Sequence, residues 1–146
     1  YRGGELSLEE FLGRKRDRDI LEEIRIRKQP GFHMVYKAHR NSRTDFPVLN
    51  AAVSLEETGG KLVFGARPLA AFGLPMAKEV REKIQAGALP EAEAASYMEQ
   101  TAEKVPVGSN MRGSAAYRAH LVRVLGRRGL LKLQELWDGK KGGAEQ

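Results

Sequence analysis

Cysteine is absent from this sequence of 146 residues. Disulfide bonds, thiolate zinc sites, cysteine nucleophiles and iron–sulfur clusters ligated by this chain are therefore excluded. Long apolar runs are absent as well, since none approaches the ~18–20 residues that span a bilayer. Residues Tyr1 to Glu5 show no hydrophobic signal region and no initiator methionine, so we expect a fragment or processed subunit without a membrane partner. The absences favour a cytoplasmic location.

Motifs that carry chemistry are also scarce. The histidines lack the spacing of metal ligands, and the paired carboxylates are adjacent, so the two members of each pair diverge on a strand or helix. The Gly-Gly pairs have no strand-to-helix context of the kind that cradles phosphate. We therefore expect no complete active site and no metal site; the residues concerned are His33, His39, His120, Glu9-Glu10, Glu22-Glu23 and Glu56-Glu57.

The charge is basic, with 25 lysines and arginines against 19 aspartates and glutamates, a net charge of +6 and a pI near 9.7. Such a balance is compatible with an acidic protein partner or with nucleic acid. The basic residues are, however, interleaved with acidic and apolar ones, aromatic residues amount to 7%, and no nucleic-acid-binding module is present. This composition favours the solvated faces of ordinary elements and disfavours nucleic-acid binding.

Strand patterns dominate the first half of the chain. Ser7 ahead of two glutamates predicts a short capped helical turn. Alternating apolar residues predict strands over Ile20–Arg27 and Phe32–Ala38. A second alternating pair, Leu49–Leu55 and Leu62–Ala66, flanks a Thr-Gly-Gly connection and predicts an antiparallel hairpin.

Helical patterns follow. Met76, Val80 and Ile84 recur every four residues and predict an amphipathic helix that ends at Gly87. A second helix is predicted from Pro90 to just before Pro106, and a longer one through Tyr117 to Leu136, with a bend or an early end at its glycines 126 and 129. Strands first and helices last predict an α+β fold, an antiparallel sheet with helices on one face.

Two segments are dense in polar and charged residues, Arg40–Pro47 and Asn110–Arg118. The structural interpretation of the first is a strand connection with a turn and a local ion pair at Asp45. For the second it is a helix start in which Ser114 or Asn110 is the cap, Arg112 fixes the loop and Tyr117 enters the core. The functional interpretation is that these loops contact a cofactor or a partner. The residues alone leave both interpretations open.

Three blocks together resemble a known family. They are KAHRNSRTDFPVLNAAV at 37–53, Gly-Ala-Arg-Pro at 65–68 followed by a helix carrying Glu79, and RGSAAYRAHLVRVLGRR at 112–128. In this order they are similar to the flavoprotein (medium) subunits of molybdenum hydroxylases, the relatives of xanthine dehydrogenase and carbon monoxide dehydrogenase. The resemblance extends from about Leu6 to Leu133. One departure is Asn110, where relatives often carry aspartate.

The resemblance implies the C-terminal domain of the FAD-binding subunit, a three- or four-stranded antiparallel sheet covered by three helices. It places the end of the flavin-binding domain and a linker at 1–29 and the C-terminal domain at 30–138. The polar, glycine-rich composition of residues 139–146 predicts a disordered tail. In the family, electrons leave a molybdopterin subunit through [2Fe–2S] clusters to FAD and then reach NAD or another acceptor. The implied partners are the FAD-binding domain and those two other subunits.

The resemblance also implies the site residues. Arg43 and Asp45 would shape a loop near the flavin, and Leu55, Gly65 and Arg67 would lie near the ring. None would be catalytic, because the flavin carries the electrons. The glycine-rich pyrophosphate segments of the family have no counterpart in the sequence, so we expect FAD to be shared with an upstream domain or another chain, and the isolated chain to be inactive. The alternative is a stand-alone interaction or dimerisation domain.

Overall fold

The structure, a computed structural model, describes residues 4–15, 20–28 and 30–143. The chain divides into two compact units, residues 1–30 and 31–146. In the first unit, helix α1 (Leu8–Gly13) confirms the predicted capped turn. Ser7 Oγ accepts a hydrogen bond from the Glu10 backbone N–H at 3.2 Å, and the Ser7 N–H donates to the Glu10 carboxylate at 2.9 Å. The bond from the Ser7 N–H, and a second one of 2.8 Å that the Ser7 hydroxyl donates to the same carboxylate, hold the pKa of the Glu10 carboxyl below its usual value.

The strand predicted at Ile20–Arg27 is wrong, because residues 20–28 have no regular secondary structure. Their alternating isoleucines are exposed, Ile24 at 72% and Ile26 at 86%. Alternation produces a strand only where a neighbouring strand supplies backbone partners. The described residues of this unit form one helix and irregular backbone, and none of them forms a second strand.

The second unit contains a four-stranded antiparallel sheet in the order β1-β2-β3-β4. Its strands are β1 (His33–His39), β2 (Leu49–Leu55), β3 (Gly60–Gly65) and β4 (Phe72–Pro75). The β2–β3 hairpin confirms the prediction, with Val53 opposite Leu62. The short β4 has no local signal in the sequence, since it contains a glycine and a proline and is defined by pairing Phe72 with Phe64.

Three helices follow the sheet: α2 (Lys78–Ala86), α3 (Glu91–Lys104) and α4 (Ala115–Gly143). The predicted end of α2 is confirmed, because Gly87 takes the left-handed conformation with φ of 70° and its N–H donates to the Ile84 carbonyl. The predicted early end of α4 is wrong, because the helix runs unbroken through both glycines. Gly126 faces Met98, and a Cβ built at Gly129 would lie 2.6 Å from Val53 Cγ2. The glycines thus allow close packing.

Helix α4 also continues to Gly143, so residues 139–143 are helical where the sequence predicts a disordered tail. The reason lies just before them, where the half-buried Trp137 ring packs edge-on against His33 with centroids 5.2 Å apart. Helical backbone hydrogen bonds then propagate from this anchored turn. Residues 144–146 lie outside the described part of the chain.

The hydrophobic core fills one face of the sheet. Leu49, Ala51, Val53 and Leu55 alternate inward along β2 and are essentially fully buried. Helix α4 lies on β1 and β2, since Tyr117 near its start contacts His39 and Trp137 further along contacts His33. Burying each large apolar side chain contributes roughly 1.5–3 kcal/mol. The predicted α+β fold, with helices on one face of an antiparallel sheet, is confirmed.

Candidate functional site

The guanidinium of Arg118 lies completely buried in the first turns of α4. Its Nε donates to the Val48 carbonyl at 2.9 Å, and its Nη1 donates to the carbonyls of Gly108, at 2.8 Å, and of Gly113. Its Nη2 donates to Asn110 Oδ1 at 2.6 Å. All four acceptors are neutral. Burial lowers the pKa of Arg118, and the nearby positive charge of Arg112 lowers it further.

Arg118 therefore joins the backbone before β2 to the connection between α3 and α4. We call residues 106–113 of this connection the braced loop. Asn110 and Gly113 exchange two backbone hydrogen bonds of 3.1 Å, which close the loop into a tight turn. The Asn110 carboxamide oxygen also accepts the Arg112 backbone N–H at 2.9 Å. Together with the bonds from Arg118, these hydrogen bonds converge on one short segment and hold its shape.

A second buried arginine holds the other end of the braced loop. Arg67 is 6% exposed and donates from Nη1 to the Pro106 carbonyl at 2.5 Å, while the Arg67 carbonyl accepts the Gly108 N–H at 3.1 Å. Its guanidinium lies 5.2 Å from the centroid of the Phe72 ring. Burial lowers the pKa of Arg67, and its Nε has no hydrogen-bond partner among the described residues. This cation is thus far less well satisfied than Arg118.

The two polar segments lie side by side. Arg112 of the braced loop approaches Asp45 of the β1–β2 connection, with Nε 3.6 Å from Oδ1, and its guanidinium lies 5.4 Å from the centroid of the Phe46 ring. Asp45 Oδ1 also accepts the Phe46 N–H at 2.7 Å. The sequence predicts that Asp45 pairs with an arginine of its own segment. That prediction is wrong, because Asp45 pairs with Arg112 of the other segment. This ion pair ties two connections into one surface.

The start of α4 confirms Ser114 as the helix cap and contradicts the predicted burial of Tyr117. Ser114 is the cap, since its Oγ accepts the Tyr117 N–H at 3.1 Å. Tyr117 does not enter the core as predicted. Its side chain is 41% exposed, and its hydroxyl lies 3.0 Å from His39 Nε2. Arg118 takes the buried position instead, because three peptide carbonyls and a carboxamide replace the hydration of its charge.

The surface formed by the two connections presents cationic and apolar groups. Phe46 is 74% exposed and Met111 is 95% exposed, while Arg43 on the same β1–β2 connection is exposed to solvent. Aromatic, methionine and arginine side chains are the residue types enriched where proteins bind partners. The described residues of this surface offer no nucleophile paired with a general base.

The predicted site residues fall into separate places. Arg43 and Asp45 lie in the β1–β2 connection, and Arg67 reaches the same region through the braced loop. Gly65 lies against the Asn50 side chain, so closely that a Cβ would come 2.5 Å from Oδ1. Leu55 is fully buried in the core.

These residues do not by themselves form a cradle for FAD. Leu55 has no exposed surface, and the Arg67 guanidinium is enclosed by Phe72 and the braced loop. What remains accessible is Arg43 with the outer edge of the two connections. Among residues 4–15, 20–28 and 30–143, no group of three or more potential metal ligands occurs, and no helix has the length and apolarity to span a membrane.

The fold and this surface define a class of protein: an α+β domain with a four-stranded antiparallel meander, helices on one side and arginine-braced connecting loops. Residues 34–133, more than half of the chain, match the family described as the CO dehydrogenase flavoprotein C-terminal domain. The chain belongs to this family and is a C-terminal domain of the FAD-binding subunit of molybdenum hydroxylases, as the sequence blocks predict.

Two solved structures share the fold. Quinoline 2-oxidoreductase from Pseudomonas putida 86 aligns over 74% of this chain with a TM-score of 0.60 and 20% identity. A carbon monoxide dehydrogenase from Hydrogenophaga pseudoflava, which lacks the Mo-pyranopterin moiety of its cofactor, aligns over 70% with a TM-score of 0.52 and 14% identity. This chain spans only 39% and 37% of those two chains. No curated protein matches the sequence.

Proposed function

We propose that this domain covers an FAD held by a flavin-binding region, within a molybdenum-dependent oxidoreductase. One observation carries the proposal: the two segments that resemble the family, far apart in sequence, meet at the Arg112–Asp45 pair and form one surface. The surface is shaped by buried arginines and exposes Arg43 beside apolar side chains. Bound FAD would supply the electron-transfer chemistry, and this chain would position and shield it.

Each candidate residue then has a specific part. Arg43 is the accessible cation that would contact the flavin or its phosphates. Asp45 is a positioning residue, because it holds the connection against Arg112, and Arg67 positions the braced loop through Pro106. Gly65 would contribute only backbone. Leu55 supports the core beneath β2 rather than touching a ring, since its side chain is fully buried.

The wider assembly follows from the family. Electrons would arrive from a molybdopterin subunit through [2Fe–2S] clusters and leave to NAD or another acceptor, with the complex in the cytoplasm. Residues 1–29 would be the end of the flavin-binding domain and its linker. The chain alone would be inactive, because the described residues provide one side of a flavin site and no catalytic group.

The proposal is tested by replacing Arg43 with glutamine in the intact flavoprotein. Arg128, an exposed arginine on the outer surface of α4, provides the matched control. We expect Arg43→Gln to weaken FAD binding by about tenfold, the size of one charge-assisted contact, while Arg128→Gln leaves it unchanged. Equal FAD affinity in both variants would remove Arg43 from the flavin surface.

A second candidate function is an interaction or dimerisation domain without a flavin. The feature that favours it is the exposed apolar face of the sheet, where Met34 and Tyr36 are each 52% exposed. Flavin analysis of the purified assembly separates the two functions. Stoichiometric FAD supports the flavin-covering domain, whereas a flavin-free assembly that depends on this chain supports the alternative.

A further inference from the structure

The sheet has a second face, opposite the helices, that is unusually poor in charge. We call it the open face; the strand register assigns to it Met34, Tyr36, Ala38, Asn50, Ala52, Ser54, Lys61, Val63, Gly65, Gly73 and Pro75. Lys61 is the one charged residue among these strand positions, and Glu56, just after β2, lines a depression on the same face. An antiparallel sheet with one solvated face usually carries polar and charged residues on that face. The composition of the open face is that of a buried surface.

The contour of the open face suits a rigid neighbour. Met34 and Tyr36 on β1 form an apolar edge, and small or compact residues such as Ala52 and Val63 continue the surface across β2 and β3. Gly73 leaves room for the stem of Lys61, because a Cβ at position 73 would lie 2.9 Å from Lys61 Cε. The lysine stem therefore lies along the sheet, so an opposing surface can approach closely.

The position of the open face also connects it to the proposed flavin surface. Its last row consists of Ala38, Asn50 and Gly65, at the end of the sheet where the β1–β2 connection begins. A body that contacts Arg43 on that connection can therefore extend directly onto the open face.

We infer that the open face is the docking surface for the flavin-binding region itself, which would contact it through an apolar patch. The inference rests on the proposed function. This chain spans only 39% and 37% of the two solved neighbours, so a larger body accompanies the fold in each. A second copy fits less well, because two chains of net charge +6 repel each other.

The absence of cysteine gives a direct experiment. Ser54→Cys places a single thiol in this chain at the centre of the open face, and Ser96→Cys places one on the exposed surface of α3 as the matched control. Maleimide labelling of each thiol is followed by peptide mass spectrometry, in this chain alone and in the intact flavoprotein. Acetylation of the native Lys61, compared with the exposed Lys104, repeats the comparison without any substitution.

We expect the thiol of the Ser54→Cys variant to react at least about tenfold more slowly in the intact flavoprotein than in this chain alone, because thiol reactivity depends on access. The thiol of the Ser96→Cys variant should react at the same rate in both. Equal rates at position 54 in the two samples would overturn the inference. So would slow labelling in this chain alone that depends on its concentration, since a second copy would then cover the face.

Flavin content, measured in the same samples, separates this inference from the proposed function. A flavoprotein that holds FAD but labels rapidly at position 54 contradicts the docking surface and leaves the flavin-covering role intact. An intact wild-type assembly without FAD contradicts the proposed function and, with it, the docking surface derived from it.

Discussion

Arg118 Nη2 donates a 2.6 Å hydrogen bond to the carboxamide oxygen of Asn110, a residue eight positions earlier in the chain. The contact is notable because Arg118 is fully buried and none of its acceptors among the described residues is a carboxylate. A buried cation is tolerated when polar groups replace its hydration, and here three peptide carbonyls and one carboxamide do so. The cost of burying the charge is offset by fixing the braced loop against β2.

Replacing Arg118 with methionine should lower the free energy of unfolding by about 3 kcal/mol or more, because several buried acceptors lose their donor. The exposed Arg128 gives the matched control, and Arg128→Met should change stability by less than about 0.5 kcal/mol. Urea unfolding of both variants measures the difference. Similar midpoints for the two variants would show that Arg118 does not brace the loop.

Arg67 should behave differently, although it too is buried. Its guanidinium donates to the Pro106 carbonyl but has an Nε without a partner in the described part of the chain. Methionine at this position can therefore pack on Phe72 with a stability change of about 1 kcal/mol or less. We expect Arg67→Met in the flavoprotein to weaken FAD binding despite this small change. Thermal unfolding and FAD titration together check the prediction, and normal FAD affinity would exclude Arg67 as a positioning residue.

Asn110→Asp should stabilise the domain by about 1–2 kcal/mol at neutral pH, because a carboxylate would replace the neutral acceptor of Arg118. The two arginines 112 and 118 should hold the pKa of the new carboxyl below its unfolded value. The gain is therefore present above the unfolded pKa and lost as the pH falls through the folded pKa. Unfolding at several pH values, with Asn110→Ala as the destabilised reference, tests it. A gain that increases on acidification would contradict the assignment.

The two glycines of α4 should respond unequally to alanine. Alanine favours a helix by about 1 kcal/mol, but its Cβ at position 129 would lie 2.6 Å from the stiff Val53 side chain. We expect Gly129→Ala to lower stability by about 1–2 kcal/mol in net terms, and Gly126→Ala to lower it less, since it meets the flexible end of Met98. Urea unfolding measures both changes. Equal stabilisation by both would indicate that α4 does not approach β2 this closely.

The parts of the fold that the sequence predicts well are those specified by local signals. The β2–β3 hairpin has clean alternation and a glycine-rich connection, and α2 has its glycine stop. Strand β4 cannot be predicted in this way because only its pairing with β3 defines it. The strand predicted at Ile20–Arg27 fails for the opposite reason, since alternation is present without a partner strand among the described residues of the first unit.

The candidate site is predictable in outline only. The density of charge at Arg40–Pro47 and Asn110–Arg118 marks both segments, but nothing local indicates that Asp45 reaches Arg112. Arg118 does leave one signal: it is four residues before Val122 and seven before Leu125, so it lies on the apolar stripe of α4. A charged residue in such a stripe indicates a buried cation with polar partners.

The most direct measurement is the FAD dissociation constant of the intact flavoprotein, compared with the same protein lacking residues 31–146. If the domain covers the flavin, its removal should weaken FAD binding by at least about tenfold and expose the flavin fluorescence to solvent quenchers. FAD that remains bound with unchanged affinity and unchanged quenching would contradict the flavin-covering role.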